Sequence, residues 1–220
     1  MVTFKDIQKN PYILEFIEQT GRKLKSIDYT DHGIGHANLV SARARTLAQE
    51  IGLGDREQEL AAIAGFSHDL GNFLSRSLHN YFGAFIFQNI FGKDFPPREL
   101  ALLMEAIVSH DKDEMEITDW LSAVTVLADK SDVRRTRVTV TDMNVIKRDI
   151  HNRVNFAVKQ SRLGINKKSK IITLSLKVDT NFVPIMEYFE IFTERMVYCR
   201  KAAEFLGYKF GLVINNFKLL

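Results

Sequence analysis

Hydrophobic and polar positions fall into two successive patterns along the chain. Up to about residue 130, apolar stretches such as ELAAIAGF (residues 59–66), RELALLMEAIVSH and DWLSAVTVLADKSD alternate with short polar loops and read as helices. Asn10-Pro11, a capping residue followed by proline at the first helical position, opens a helix to about Lys25. The polar loop YTDHGIGH (residues 29–36) leads into HANLVSARARTLAQEI, which stops at Gly52. Asp55 with Gln58 resembles a capping box for the next helix, expected to carry His68 and Asp69 in its last turn and to end at Gly71. Further helices are expected from about Ser77 to Ile90 and from Pro97 to near His110. After the acidic loop DKDEMEI, Thr118 is the expected cap of the last helix in this series.

Beyond Val138 the spacing changes. VNFAVKQ (residues 154–160) puts Val154, Phe156 and Val158 on one face. IITLSLKVD alternates Ile172, Leu174, Leu176 and Val178 with Thr173, Ser175, Lys177 and Asp179, the period of a half-buried strand. RLGINKKSK holds turn residues and joins the two as a hairpin. A long helix from about Pro184 to Leu206, ending at Gly207, and a third alternating stretch, YKFGLVIN, complete the chain. The expectation is a mainly α protein. A helical bundle over residues 1–138 is followed by a small α+β appendage over residues 139–220, with about three antiparallel strands and one long helix.

Composition narrows the class. The 220 residues are 45% hydrophobic and 26% charged, enough for one core with an appendage. No apolar run is long enough to cross a bilayer, so no membrane partner is expected. The opening MVTFKDIQKN brings in charge at once and lacks the apolar core of a secretory signal. The single cysteine, Cys199, can form neither an internal disulfide nor a cysteine metal cage. These features suit the cytoplasm. The net charge of +3 hides an asymmetry: residues 1–130 carry 13 Lys and Arg against 19 Asp and Glu, residues 131–220 carry 17 against 8. A basic surface facing an anionic ligand and a merely solvated basic face are both compatible with it.

The candidate chemistry lies in the first pattern. His32, His36, His68, His79 and His110 each fall at a helix end or in an adjoining loop, while His151 lies apart and reads as a surface residue. Singly, each histidine is better explained as a hydrogen-bonded structural residue, and Asp129 as a partner of Lys130 or Arg134. In series, His36, His68-Asp69, His79, His110 and Asp129 combine imidazole nitrogen with carboxylate oxygen. Those are the ligands that divalent Mn, Fe, Co, Ni and Zn share.

This ordered set resembles the HD-domain superfamily of metal-dependent phosphohydrolases, whose pattern is H…HD…D on a helical bundle. The matching segments are GHANLVSARARTLA, AAIAGFSHDLGN and AVTVLADKSD, within about residues 28–138. RSLHNYFGA and EAIVSHD resemble the extra histidine positions of dinuclear members, among them HD-type dinucleotide polyphosphate hydrolases and cyclic-dinucleotide phosphodiesterases. The resemblance implies that His36, His68, Asp69 and Asp129 hold one divalent transition-metal ion. It also implies that Asp69 bridges to a second ion bound by His79 and His110, with His68 and Asp69 at the catalytic centre. The appendage resembles nothing identifiable.

A metal-activated water would then hydrolyse a nucleotide or another small phosphorylated substrate. Arg76, Lys130, Arg134 and Arg137 are candidate substrate contacts, since arginine grips phosphate as a fork and lysine as a point charge. For the two later arginines a solvated helix end competes with that role. Asn72 is either a substrate contact or a helix-end cap. Asp132 can orient a ligand histidine or an arginine, Asp111 can support the site or belong to the acidic loop, and His32 can support the site, touch substrate or ligate. Two other functions compete: a dinuclear-iron oxygenase of the same superfamily, and a non-catalytic module whose appendage binds nucleotide or nucleic acid. The absence of a cysteine cage weighs against a purely structural metal. The appendage can also serve as a lid or as the contact of a homodimer.

Overall fold

Ten helices and four strands make up the computed structural model, which describes residues 2–112 and 116–219. The bundle consists of α1 (Phe4–Lys9), α2 (Pro11–Ser26), α3 (Ile34–Glu50), α4 (Asp55–Ser67), α5 (His79–Phe91), α6 (Pro97–Ser109) and α7 (Trp120–Lys130). A short 3₁₀ turn, Leu70–Phe73, lies between α4 and α5. The chain continues through a second 3₁₀ turn at Arg135–Arg137, α8 (Met143–Arg148) and α9 (Ile150–Ala157). A sheet and a long helix follow: β1 (Val158–Asn166), β2 (Ile171–Val178), α10 (Ile185–Phe205), β3 (Lys209–Ile214) and β4 (Phe217–Lys218). The architecture is therefore mainly α with a small C-terminal α+β part. Among the described residues no helix is long and apolar enough to cross a membrane.

The helix α7 is the axis of the molecule. Every residue from Leu121 to Lys130 is buried, because α3, α4 and α6 pack around it and α10 covers the remaining side. A helix enclosed on all sides must be apolar all round, and AVTVLA supplies that. Its two charged C-terminal residues, Asp129 and Lys130, are thereby drawn into the interior. The pair α3 and α4 approaches closely at Gly65, where a Cβ would lie 2.9 Å from the carbonyl oxygen of Val40 and 3.0 Å from the main chain of Ser41.

Several boundaries differ from the sequence expectation, each for a local reason. Gly54, not Asp55, precedes α4 without a side-chain cap; Asp55 occupies the first turn, where its charge complements the helix dipole. That helix ends at Ser67, so His68 and Asp69 follow its last turn. Asp119 rather than Thr118 caps α7, accepting from the main-chain nitrogens of Leu121 at 2.7 Å and Ser122 at 2.9 Å. The Thr118 hydroxyl bonds Glu105 instead. Within the acidic loop, residues 113–115 lie outside the described residues. The short α1 has a complete capping box between Thr3 and Asp6.

The larger correction concerns the C-terminal part. Residues 154–157 are helical, not extended: Asp149 caps α9 through the nitrogen of Asn152 at 2.7 Å, and β1 begins only at Val158. The sheet has four strands in the order β1-β2-β3-β4. Its outer pairs are antiparallel but β2 and β3 run parallel, with α10 as the crossover. Ile172, Leu174, Leu176 and Val178 face inward from β2 and meet Phe210, Leu212 and Ile214 of β3 in the core. The apolar core continues unbroken from this sheet into the bundle. Arg43 of α3 ties the two together, reaching the carbonyl of Ser161 on β1 at 3.0 Å and the hydroxyl of Ser131 at 3.0 Å. Much of the basic surplus is locally paired, as in Lys159–Asp179, Arg153–Glu187 and Lys167–Glu50.

Candidate metal centre

Helix ends place the six residues at one point inside the bundle. His36 stands in the first turn of α3, His68 and His110 immediately follow α4 and α6, His79 is the first residue of α5, and Asp129 is in the last turn of α7. Asp69 sits in the turn after α4 at φ −96°, ψ 9°. Leu78, the residue before α5, adopts a left-handed conformation with φ 59° that a branched aliphatic side chain disfavours. Its turn lets the His79 ring accept a position against the Arg76 carbonyl at 3.0 Å. All six side chains are at least nine-tenths buried.

The imidazoles share one orientation. Nδ1 of His68, His79 and His110 points at the carbonyl oxygens of Gly65, Arg76 and Ile107, at 2.9, 3.0 and 2.6 Å. Nδ1 of His36 points at the Asp132 carboxylate at 2.8 Å. A carbonyl or carboxylate oxygen accepts only, so each Nδ1 carries the proton and each Nε2 turns inward with its lone pair. There the lone pairs crowd. Nε2 of His36 and of His68 are 3.2 Å apart, and those of His79 and His110 are 3.1 Å apart.

The Asp69 carboxylate divides the cluster into two halves. Its Oδ2 lies 3.2 Å from His68 Nε2 and 3.6 Å from His36 Nε2, and Asp129 Oδ1 lies 3.2 Å from His36 Nε2 and 3.7 Å from His68 Nε2. Its Oδ1 lies 3.3 Å from His79 Nε2 and 3.5 Å from His110 Nε2. Ligand atoms about 2.1 Å from a shared ion stand about 3.0 Å apart in an octahedron and about 3.4 Å apart in a tetrahedron. Five of the separations here, from 3.1 to 3.3 Å, fall in that range, and the other three, 3.5 to 3.7 Å, lie just beyond it. Asp69 Oδ2 is fully buried and has no hydrogen-bond partner, which is costly unless a cation compensates it. Three overlapping groups, His36–His68–Asp69, His68–His110–Asp129 and Asp69–His79–His110, bring their donor atoms close enough to hold an ion. The donor set therefore fits divalent transition metals.

The electrostatics express the same demand for positive charge. Burial pushes the His68 imidazole toward its neutral form, but the Asp69 and Asp129 carboxylates outweigh it and hold its pKa up at about 9. Burial would raise both acids, yet His68, His110 and His79 keep Asp69, and Lys130, His36 and His68 keep Asp129, well below the usual carboxylate range. A divalent ion bound there would displace the Nε2 proton that His68 carries in the metal-free site and supply a larger charge in its place.

The surrounding residues sort by what they touch. Asn72 is sealed from solvent; it donates to Asp69 Oδ1 at 2.7 Å and accepts from Arg76 at 2.9 Å, so it positions Asp69 rather than reaching outward. Arg76 lies at the mouth, its side chain 38% exposed, 3.7 Å from Asp111 and stacked 5.6 Å from the Tyr29 ring centroid. Lys130 is buried between Asp111 at 2.7 Å and Asp129 at 3.3 Å. Arg134 grips Asp132 at 2.7 Å. Arg137 is buried and bonds the carbonyls of Asp31, at 2.8 and 3.0 Å, and Asp132, at 3.2 Å. These two arginines thus brace Asp132, which braces His36. His32 makes a 2.6 Å contact with the Thr30 carbonyl, and its ring stands 5.4 Å from that of His36; burial, followed by the nearby Arg137 charge, keeps it neutral. Two residues escaped the sequence reading. Tyr29 belongs to the quoted loop but carries no ligand chemistry. Asn80 latches α5 to the end of α6 through the Val108 carbonyl at 2.7 Å.

Because Asp132 fixes both the tautomer and the direction of the His36 ring, Asp132→Asn is expected to weaken metal affinity by about tenfold to a hundredfold. A metal titration of the stripped protein measures it, and unchanged affinity would remove Asp132 from the site.

Residues 33–139 match the family model of the HD domain, a span that contains all six clustered residues. No curated protein matches the chain.

Proposed function

From the premise of an HD domain over residues 33–139, we propose that this protein is a two-ion metal-dependent phosphohydrolase acting on a nucleotide or a related small phosphorylated compound. The observation that carries the reading is the split of Asp69, one oxygen facing His36 and His68, the other facing His79 and His110. In this reading His36, His68, Asp69 and Asp129 hold the first ion, and Asp69, His79 and His110 the second. Such ions, when bound, lower the pKa of coordinated water to about 7 and stabilise the entering and departing oxygens of an in-line displacement.

The chain's own groups do the rest. The carbonyls of Gly65, Arg76 and Ile107 and the Asp132 carboxylate keep every Nδ1 protonated, so each inward Nε2 is available as a donor. Lys130 neutralises Asp129 and Asp111 at the inner edge, leaving less negative charge to repel an arriving phosphate. Arg76, exposed beside His79, is the fork that meets phosphoryl oxygens at the mouth. Phosphoryl transfer needs this positioning and charge neutralisation more than a covalent catalyst.

Elemental analysis of freshly purified protein should find two divalent transition-metal ions per chain. A panel of nucleotides, dinucleotides and sugar phosphates should show chelator-sensitive phosphate release. Metal-dependent oxygen consumption with no phosphate release from any member of the panel would reject the hydrolase reading.

A further inference from the structure

Tyr29, whose ring carries Arg76 at the mouth of the metal centre, also lines a second cleft that contains none of the six clustered residues. This cleft encloses about 500 Å³ between the loop that follows α2 and the helices α8, α9 and α10. That volume suits a small molecule. Its guanidinium groups are those of Arg137, Arg148 and Arg195, and His151 also lines it. Arg195 is half-buried, lies 5.0 Å from the Phe192 ring centroid and has no carboxylate within ion-pair distance; Arg148 is exposed and equally unpaired among the described residues. Arg195 is close enough for its charge to bear on Arg137, after burial and the opposing Asp132 charge the next influence on that guanidinium. Of the acids at the cleft, Asp149 is committed to capping α9 through the Asn152 nitrogen at 2.7 Å, and Asp28 stands exposed at the rim.

The floor has the complementary deficit. Asn152 and Asn155 both line the cleft and are almost fully buried. Each commits its side-chain nitrogen to a main-chain carbonyl, Asn152 to Asp28 at 3.0 Å and Asn155 to His151 at 2.8 Å. Their carbonyl oxygens receive no donor from the described residues, and that of Asn152 is wholly buried without a partner. Buried amide acceptors are ordinarily hydrogen-bonded. We infer that this cleft is a binding site, separate from the metal centre, for a small phosphorylated molecule that also carries N–H or O–H donors. The phosphate meets Arg148 and Arg195, a donor meets the Asn155 carbonyl, and Tyr29 forms the side wall.

The shared chemistry belongs to nucleotides and to sugar phosphates, and titration calorimetry separates them. Protein dialysed against chelator is titrated with inorganic phosphate, a hexose phosphate and the four nucleoside monophosphates. At least one donor-bearing phosphate should bind roughly tenfold or more tightly than inorganic phosphate, and Arg148→Gln combined with Arg195→Gln should weaken it by about tenfold or more. Asp69→Asn, in the metal centre, should leave this affinity within about twofold, since Asp69 does not line the cleft. The inference fails if no donor-bearing phosphate outcompetes inorganic phosphate or if the double arginine variant binds as tightly as the wild type. It also fails if Asp69→Asn abolishes binding, because the ligand then belongs to the metal centre. The readout uses metal-free protein, so failure of the hydrolase reading would leave it intact.

Discussion

Asp69→Ala is expected to release metal from both halves of the cluster together and to abolish phosphate release. Its two oxygens turn to different ligand sets: Oδ2 lies 3.2 Å from His68 Nε2 and Oδ1 lies 3.3 Å from His79 Nε2. Losing a supporting carboxylate such as Asp132 weakens a site by about tenfold to a hundredfold; losing a shared ligand removes a direct bond from each half and most of the negative charge that attracts the ions. Alanine also leaves Asn72 without its acceptor and the lone pairs of four imidazoles without a carboxylate between the two halves. Metal content should fall from two ions per chain to less than one, and turnover by more than the roughly hundredfold upper range of a lost support. His79→Ala is the informative companion, because it touches one half only and should retain the other ion. Two ions retained in Asp69→Ala, or both lost in His79→Ala, would dissolve the picture of two halves sharing one carboxylate.

The parts of this molecule that could be read from sequence are those whose cause is local. Pro11 and the asparagine before it, the period of Ile172 to Val178, and the left-handed Gly52 and Gly207 at helix ends all act within a few residues. So does the order of imidazoles and acids along the chain, although their meeting at one point is a property of the fold. What stayed hidden has non-local causes. Val154, Phe156 and Val158 alternate like a strand, but the Asp149 cap and the burial of Val154 and Ala157 beneath the neighbouring α8, α10 and β1 make the segment helical up to Ala157. Parallel pairing of β2 with β3 depends on where α10 crosses, which strand periodicity cannot express. Asp132 acts on His36 from 96 residues away, and the residues before it gave no sign of which histidine it would meet. Arg137 looked like a phosphate contact because it is an arginine beside a metal-binding segment; only the packing shows its guanidinium turned to the carbonyls of Asp31 and Asp132. The second cleft draws on a loop, three helices and no motif at all.

Gly71→Ala should be among the most damaging single-methyl changes available to this chain. Gly71 lies in the 3₁₀ turn that follows Asp69, where the main chain passes directly against the first turns of α5. A Cβ there would run into the carbonyl oxygen of His79 and come within 2.6 Å of the Gly83 nitrogen and 2.9 Å of the His79 carbonyl carbon. All three are main-chain atoms of one helix, so no side-chain rotation relieves the clash; α5 must move away from the turn. Overpacking a core by a methylene costs about 1–3 kcal/mol where side chains can yield, and rigid backbone on the opposing side puts this substitution at or above about 3 kcal/mol. For a protein of this size each kcal/mol corresponds to about 2–4 °C, so the melting temperature should fall by at least roughly 6–12 °C. The displaced helix carries His79 at its first position, so the ion proposed for His79 and His110 should be lost before the one proposed for His36 and Asp129. Gly164→Ala makes the control, since a Cβ at Gly164 meets nothing within 4 Å, and replacing glycine in a strand is neutral or mildly stabilising through the unfolded chain. Thermal unfolding of the two variants, followed with metal content, decides it. A Gly71→Ala protein that melts within about 2 °C of wild type, well short of the shift a 3 kcal/mol clash requires, would mean that the turn and α5 are not packed backbone to backbone.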